Sequence, residues 1–325
     1  MNEILKYLLI ILGVIIFVMV FAPGLTWIER RFLSLFQDRY GPNRVGPLGM
    51  FQVVADMIKL LFKEDWTPPF ADRALFVIAP ALIIIFTLMS FAIISFAPGI
   101  EVANLNIGLL FFLGMSSLTV YSIVLGGWAS NSKYPLQGAL RGAGQMISYE
   151  VFMGLSLMGV VLMAQSFNLT DIIQAQRRLW FIIPQFIGFA VFLIAGFAET
   201  RRLPFDLPEA ENEIVAGYHT EYSGIKFALF FLGEYFGITL ISALIVILFL
   251  GGWQSLLIPH IPPVLWFLGK MVIFVAIFLF GRAAFPRPRF DQLMAFGWKL
   301  LLPLSLVNLL LTGLAVLLWD GYFNA

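Results

Sequence analysis

The stretch AETRRLPFDLPEAENEIVAGYHTEYSG, residues Ala198–Gly224, separates two long apolar segments of the chain. It contains six of the nineteen acidic residues: Glu199, Asp206, Glu209, Glu211, Glu213 and Glu221. Loops between membrane helices need polar residues, but they seldom need so many carboxylates beside Pro and aromatic side chains. Two interpretations follow, a solvated connector and a functional segment.

The composition identifies a polytopic membrane protein. The 325 residues are 60% hydrophobic and only 12% charged, about half the charged fraction of soluble domains. The net charge of +1 and the lack of a basic run give no sign of nucleic acid as a partner. Cysteine is absent and only two His occur, so a zinc, iron–sulfur or haem site on this chain is not expected.

Eight apolar stretches are long enough to cross a hydrocarbon core of about 30 Å. The first is too long for a cleaved signal peptide and has no small-residue cleavage site after it. The fourth is the least regular, because three polar residues occupy its first half. The predicted spans are 4–27, 74–97, 107–128, 140–164, 181–198, 227–250, 264–284 and 300–319.

The basic residues predict the orientation of these spans. They concentrate in the loop between the first two spans and in the loops after spans three, five and seven. Since basic loops stay on the cytoplasmic side, both termini should be periplasmic and the long polar loops cytoplasmic.

The first cytoplasmic loop contains an amphipathic pattern. Apolar side chains recur at helical spacing between Met50 and Leu61, and Gln52, Asp56, Lys59 and Lys63 occupy the other side. Such a helix either lies at the membrane interface or covers an apolar groove.

Several carboxylates interrupt the apolar spans. A buried carboxylate is costly unless it is paired, protonated or hydrated, so carboxylates within spans often mark proton pathways. We hypothesise that three of them, with four acids of the acidic stretch, form a hydrated proton relay. Its members are Glu29, Glu150, Glu234, Glu209, Glu211, Glu213 and Glu221. The alternative is a set of structural ion pairs, for example Glu150 with Arg141, or Glu29 with a neighbouring Arg.

Two loop segments carry further expectations. Pro208 favours a short helix beginning at Glu209, which would place Glu209 and Glu213 on one face. Near the last span, Arg287 and Arg289 are held apart by Pro288. These Arg residues would bind an acidic partner surface or a quinone headgroup, or simply anionic lipid.

Several longer motifs resemble one family closely. They are ERR (Glu29–Arg31), QDRYGPNRVGP (Gln37–Pro47), ADMIKLLFKED (Ala55–Asp65), SYE (Ser148–Glu150), the acidic stretch, GEY (Gly233–Tyr235) and RPRFDQLM (Arg287–Met294). The chain resembles the quinone-module membrane subunit of proton-pumping NADH:quinone oxidoreductase, respiratory complex I (the H subunit in bacteria, subunit 1 in mitochondria). A visible departure is Arg201-Arg202-Leu203, where a less charged tripeptide is common in the family.

The resemblance implies an all-helical subunit of a bacterial inner membrane, located where the hydrophilic arm of the complex docks. It implies quinone as substrate, and it implies FMN and iron–sulfur clusters on partner subunits rather than on this chain. The other expected partners are the hydrophilic quinone-module subunits, small membrane subunits and membrane lipids.

The resemblance also assigns roles to residues. The quinone chamber would be lined by Arg30, Asp56, Phe205, Asp206 and Arg287, with the amphipathic helix supporting it. The seven relay carboxylates would connect this chamber to the proton channels of the complex.

Two other functions remain open at the level of sequence. A self-contained proton-coupled carrier would use Glu234 and the loop acids, although no internal repeat or clearly broken span is visible. A membrane anchor of a related hydrogenase would share the fold and lack the quinone pocket. A carrier should be active alone, whereas a component of a larger complex should purify with flavin and iron–sulfur partners.

Overall fold

A computed structural model describes residues 3–255 and 261–323, and all regular elements in these ranges are helices. The helices are α1 Glu3–Phe36, α2 Gln52–Phe62, α3 Arg73–Ser90, α4 Gly108–Ala129, α5 Lys133–Ala164, α6 Leu169–Ala175, α7 Phe186–Glu199, α8 Glu211–Ile214, α9 Gly224–Phe249, α10 Pro263–Ala284, α11 Phe290–Phe296 and α12 Leu302–Phe323. The predicted all-helical class is confirmed.

Seven helical segments in the described part of the chain are long and apolar enough to cross a membrane. They correspond to seven of the eight predicted spans. The stretch predicted as span five, 181–198, is helical only over the 14 residues of α7, about 21 Å long. The residues just before α7, around Pro184, form turns instead, because Pro has no N–H to donate and disfavours a helical residue before it. That α7 spans the membrane stays a prediction.

Polar residues do not interrupt the fourth span, which is part of the long helix α5. This helix begins at Lys133, seven residues before the predicted boundary at 140, and ends at Ala164 as predicted. Gln165 closes it in the left-handed conformation, with φ of 53°. The side chains of Arg141, Gln145 and Glu150 are therefore presented from successive turns of one continuous helix.

Helix α9 forms the centre of the bundle. In its most apolar 18-residue window 83% of the residues are buried, compared with 22% in α1. It packs against α3, α10, α1, α7 and α2. Glu234 belongs to α9, so its carboxylate is enclosed by protein from several sides.

The predicted amphipathic helix is α2, which begins at Gln52 rather than Met50 after a 3₁₀ turn at Pro47–Gly49. Its polar side faces the bundle, since Gln52 and Asp56 are only partly exposed. The apolar side is exposed, with Val54 at 52%, Ile58 at 50% and Leu61 at 61%. Within residues 3–255 and 261–323, the apolar face of α2 therefore covers no groove.

Candidate functional site

The acidic loop between α7 and α9 folds back onto the helices. Helix α7 ends at Glu199, and Arg201 adopts a left-handed φ of 54° that turns the chain inward. The fully buried Gln145 of α5 donates hydrogen bonds of 2.8 Å to the carbonyls of Ala198 and Phe205. These contacts bury the start of the loop, so the side chains of Arg201 and Arg202 lie within the bundle.

Arg202 is the centre of a buried charge network. Its Nη1 lies 3.4 Å from Glu29 Oε1 and its Nε lies 3.3 Å from Glu234 Oε2. Its guanidinium also stacks over the ring of Tyr235, 4.2 Å from the centroid. Arg282 of α10 forms a second ion pair with Glu29. Burial by itself would lower the pKa of Arg202. The negative charges of Glu29 and Glu234 have the larger effect, so the pKa of Arg202 is raised.

These pairings compensate charges that would otherwise be expensive to bury. The Glu29, Glu234 and Arg202 side chains are each less than a tenth exposed. Removing one partner of such a pair leaves an uncompensated charge. Arg202 of the acidic loop thus connects α1 with α9, and Arg282 connects α10 with α1. The neighbouring Arg residues of the sequence, Arg30 and Arg31, are not the partners of Glu29.

Asp206 lies beside this network in the acidic loop. Its carboxylate accepts a hydrogen bond of 2.7 Å from Arg287 Nη2. Burial raises the pKa of Asp206 to about 6, although Arg287 lowers it and Glu234 adds to the rise. Asp206 therefore changes its protonation close to neutral pH.

Glu209 and Glu234 form a carboxyl pair. Their side chains share a hydrogen bond, and burial together with the Glu234 charge raises the pKa of Glu209 well above its ordinary value. A hydrogen bond between two carboxyl groups requires one proton, and the raised pKa of Glu209 favours its protonated form. His219 Nδ1 is 3.6 Å from Glu209, but burial lowers the pKa of His219. The imidazole is therefore neutral at pH 7.

A small cavity lined by both polar and apolar residues lies beside Glu234. Its volume is about 30 Å³, and its lining includes Glu234, Arg201, Thr119 and Glu199. A polar space of roughly 10–15 Å³ is enough for one water molecule. The cavity is thus large enough for a water molecule, and Glu234 and Glu199 are among the polar residues that line it.

Two consecutive serines of α4 hold the next two carboxylates. Ser116 donates a hydrogen bond of 2.7 Å to Glu199, and Ser117 donates one to Glu150. The four acids Glu209, Glu234, Glu199 and Glu150 thereby form a series from the acidic loop into the bundle. We call this series the carboxylate chain.

Four acids predicted for the relay are not members of the carboxylate chain. Glu29 belongs to the buried charge network around Arg202, and the other three lie in the acidic loop. Glu213 pairs with Arg141 of α5, and its side chain is 40% exposed. In the described part of the chain no hydrogen bond or ion pair connects Glu211 or Glu221 to the carboxylate chain. Glu211 is exposed, although its charge acts on His219.

The loop helix predicted from Pro208 is wrong in its extent. Helix α8 is a single turn that begins at Glu211, and Ala210 before it has φ of 27°. Glu209 and Glu213 therefore share no helix face. Tertiary contacts outweigh the local preference, because Glu209 binds Glu234 and Glu213 binds Arg141.

The residues predicted for a quinone chamber form two groups. Arg30 of α1 contacts Asp56 of α2 at 2.5 Å, and Gln52 donates a 3.0 Å hydrogen bond to the same carboxylate. Phe205 lines an apolar cavity of about 350 Å³, and the adjacent Asp206 is paired with Arg287. Glu29 of the buried charge network directly precedes Arg30 in α1.

Sequence reasoning assigns no role to two residues of the site, Glu199 and Arg282. Glu199 belongs to the acidic stretch, but no pattern distinguishes it from the loop acids. Arg282 stands out as a cation in an apolar span. Two sequence features hint at these residues: the consecutive serines Ser116 and Ser117 in an apolar helix, and the isolated cation Arg282. Neither feature identifies the carboxylate that it contacts.

The fold and site define a polytopic helical membrane protein in which a series of carboxylates leads from a polar loop into the bundle. In the described residues, no group of three His, Asp or Glu side chains is arranged to hold a metal ion. The chain matches the NADH dehydrogenase family over residues 8–313 and belongs to that family.

A curated relative carries a more specific name. The chain is 57% identical over 304 residues to the H subunit of NADH-quinone oxidoreductase from Methylococcus capsulatus. The aligned region covers 94% of this chain and 96% of the relative. The similarity thus extends over nearly the whole of both proteins.

Proposed function

We propose that this chain is the H subunit of NADH-quinone oxidoreductase, respiratory complex I, in a bacterial inner membrane. In this role it helps to form the quinone chamber and conducts protons through the carboxylate chain. FMN and iron–sulfur clusters on partner subunits would carry the electrons. The geometry that supports coupling best is the contact between Glu209 and Glu234 beside Asp206, whose carboxylate is paired with Arg287.

The protonation state of Asp206 controls how tightly Glu209 in the carboxylate chain holds a proton. The Asp206 charge raises the pKa of Glu209. When Asp206 is protonated, Glu209 holds its proton less tightly and releases it toward Glu234. When Asp206 loses its proton, Glu209 binds a proton more tightly again. Reduction of a quinone to a quinol takes up protons as well as electrons, so quinone chemistry near Asp206 would drive this exchange.

The chamber residues have distinct roles in this proposal. Arg287 would hold Asp206 near the quinone headgroup, and Phe205 would provide an apolar wall. Arg30 and Asp56 would fix α2 against α1, so that α2 supports the chamber from the membrane surface.

The surface acids would act at the solvent side of the relay. Glu209 is 24% exposed, so protons can reach the carboxylate chain from the loop surface. Glu211 and Glu221 would supply protons there. Glu213 would hold the loop in position through Arg141.

The test is Glu234→Gln in the assembled complex, reconstituted in proteoliposomes. The amide keeps the size of the side chain and removes its ability to accept and pass on a proton. We expect both quinone reduction and proton pumping to fall by roughly a hundredfold, the lower part of what loss of a proton-transfer group costs.

The matched control is Glu101→Gln. Glu101 accepts a hydrogen bond from Thr170 at the opposite end of the bundle, where an amide oxygen can replace the carboxylate. Its activity should equal that of the wild type. Normal pumping by the Glu234→Gln complex would remove Glu234 from the relay.

A further inference from the structure

A groove on the outer surface of the bundle lies at the end away from the acidic loop. It runs between the first half of α1 and the start of α10, and the turn at Phe96–Ile100 forms its floor. Its volume is about 460 Å³, and Lys6 is the one charged residue of its lining. The aromatic rings of Phe17, Phe96 and Phe267 interlock beneath it.

We propose that this groove binds one acyl chain of an anionic phospholipid, whose phosphate is held by Lys6. The groove extends along α1 from Lys6 to Phe17, which corresponds to about 16 Å of helix. One leaflet of a hydrocarbon core about 30 Å thick has about this depth. Lys6 therefore marks the headgroup level and Phe17 the middle of the membrane.

Lys6 is available for such a headgroup. Its side chain is exposed, and it forms no hydrogen bond or ion pair within the part of the chain that the structure describes. A lysine near the end of a span extends its ammonium toward the interface, where lipid phosphates lie. Because the charge is positive, it favours anionic lipid over zwitterionic lipid.

Glycine keeps the groove open. A Cβ placed on Gly13 or on Gly99 would meet no other atom within 4 Å, and both residues belong to the lining. A larger residue at Gly13 would therefore fill the groove without disturbing the packing.

The groove is too small to enclose a helix from another protein chain. A helix segment about 16 Å long and about 10 Å across occupies about 1,300 Å³, nearly three times the 460 Å³ of the groove, so a helix would contact it with one face only. An acyl chain is much thinner than a helix and can conform to the curved floor.

The experiment uses the purified complex in nanodiscs of phosphatidylcholine that contain a small fraction of phosphatidylglycerol with a photoreactive group on its acyl chain. After illumination, mass spectrometry should locate the cross-links on α1 between Leu9 and Phe17. Gly13→Leu should lose most of this labelling. Gly24→Leu is the matched control, since Gly24 also lies in α1 with open space around it but outside the groove, and its labelling should be unchanged.

A second variant tests the headgroup contact. Lys6→Gln should lower labelling by the phosphatidylglycerol probe roughly fivefold and leave labelling by a phosphatidylcholine probe unchanged. The proposal is overturned if Gly13→Leu is labelled like the wild type, or if both probes label the wild type equally. It is also overturned if a photo-crosslinker in place of Leu9 captures a neighbouring protein chain, which would mean that protein covers the groove.

Discussion

Two buried cations at opposite ends of α9 are stabilised in different ways. Arg202 is paired with carboxylates, Glu29 and Glu234, at the end near the acidic loop. Lys270 donates hydrogen bonds of 2.7–2.9 Å to the backbone carbonyls of Leu250, Gly252 and Gln254 at the other end. Trp180 and Trp266 also flank its ammonium.

The two buried cations therefore differ in whether their neighbours can change protonation. Carbonyl groups cannot bind or release a proton near neutral pH, so the partners of Lys270 do not titrate, and its ammonium caps the C-terminal end of α9. Carboxylates can change their protonation, so the network around Arg202 can respond to a charge that appears nearby. The following substitutions test this contrast.

Arg202→Met should have the largest effect. It leaves Glu234 without its cation and Glu29 with Arg282 alone. Breaking a buried ion pair from one side costs roughly 3–5 kcal/mol. We expect a large loss of thermal stability and of quinone reductase activity in the solubilised complex, measured by thermal inactivation and NADH oxidation.

The control for this change is Arg289→Met, because the Arg289 side chain is 75% exposed and its ion pair is with Asp291 beside it. It should leave stability unchanged. Equal stability of the two variants would contradict the central position of Arg202.

Lys270→Met should be next, and its effect should be limited to stability. The carbonyls at the end of α9 lose charge-assisted hydrogen bonds, at a cost of about 2 kcal/mol. The number of protons pumped per electron should stay normal in complexes that assemble. A reduced pumping ratio would show that the cation does more than cap the helix.

Asp206→Asn should change the pH dependence. Since burial raises the pKa of Asp206 to about 6, the wild type should show an inflection in quinone reductase activity near this pH, and the variant should lack it. The sign for stability follows: a raised carboxyl pKa favours the folded state at low pH, and this contribution disappears as pH rises through the raised pKa.

The control is Asp171→Asn. The Asp171 carboxylate is exposed and accepts a hydrogen bond from Ser166. The pH profile of this variant should match the wild type. The same inflection persisting in the Asp206→Asn complex would assign it to another group.

Glu213→Gln should have the smallest effect. The Arg141–Glu213 pair is partly exposed, and such pairs contribute up to about 1 kcal/mol. Quinone reduction and pumping should fall together, by at most roughly fivefold, because the loop is held less firmly. A loss as large as that expected for Glu234→Gln would return Glu213 to the relay itself.

Sequence reasoning reaches the elements but not the contacts between them. The apolar stretches predict the long helices, and the carboxylates within them stand out as candidates. The partner suggested for Glu150 is Arg141, nine residues away, which on a helix is about 13 Å along the axis and half a turn around it. The structure instead gives Glu150 a hydroxyl from α4 and gives Arg141 a carboxylate from the loop.

The sequence by itself determined the membrane class and the helices, because backbone groups in a bilayer must be satisfied within each segment and hydropathy reports this locally. It also limited the candidates to a few carboxylates. Only the tertiary structure decided which charges meet. Glu29 pairs with Arg202 and Arg282, which lie 173 and 253 positions away. No local pattern encodes a contact over such separations, since it depends on how the helices pack around α9.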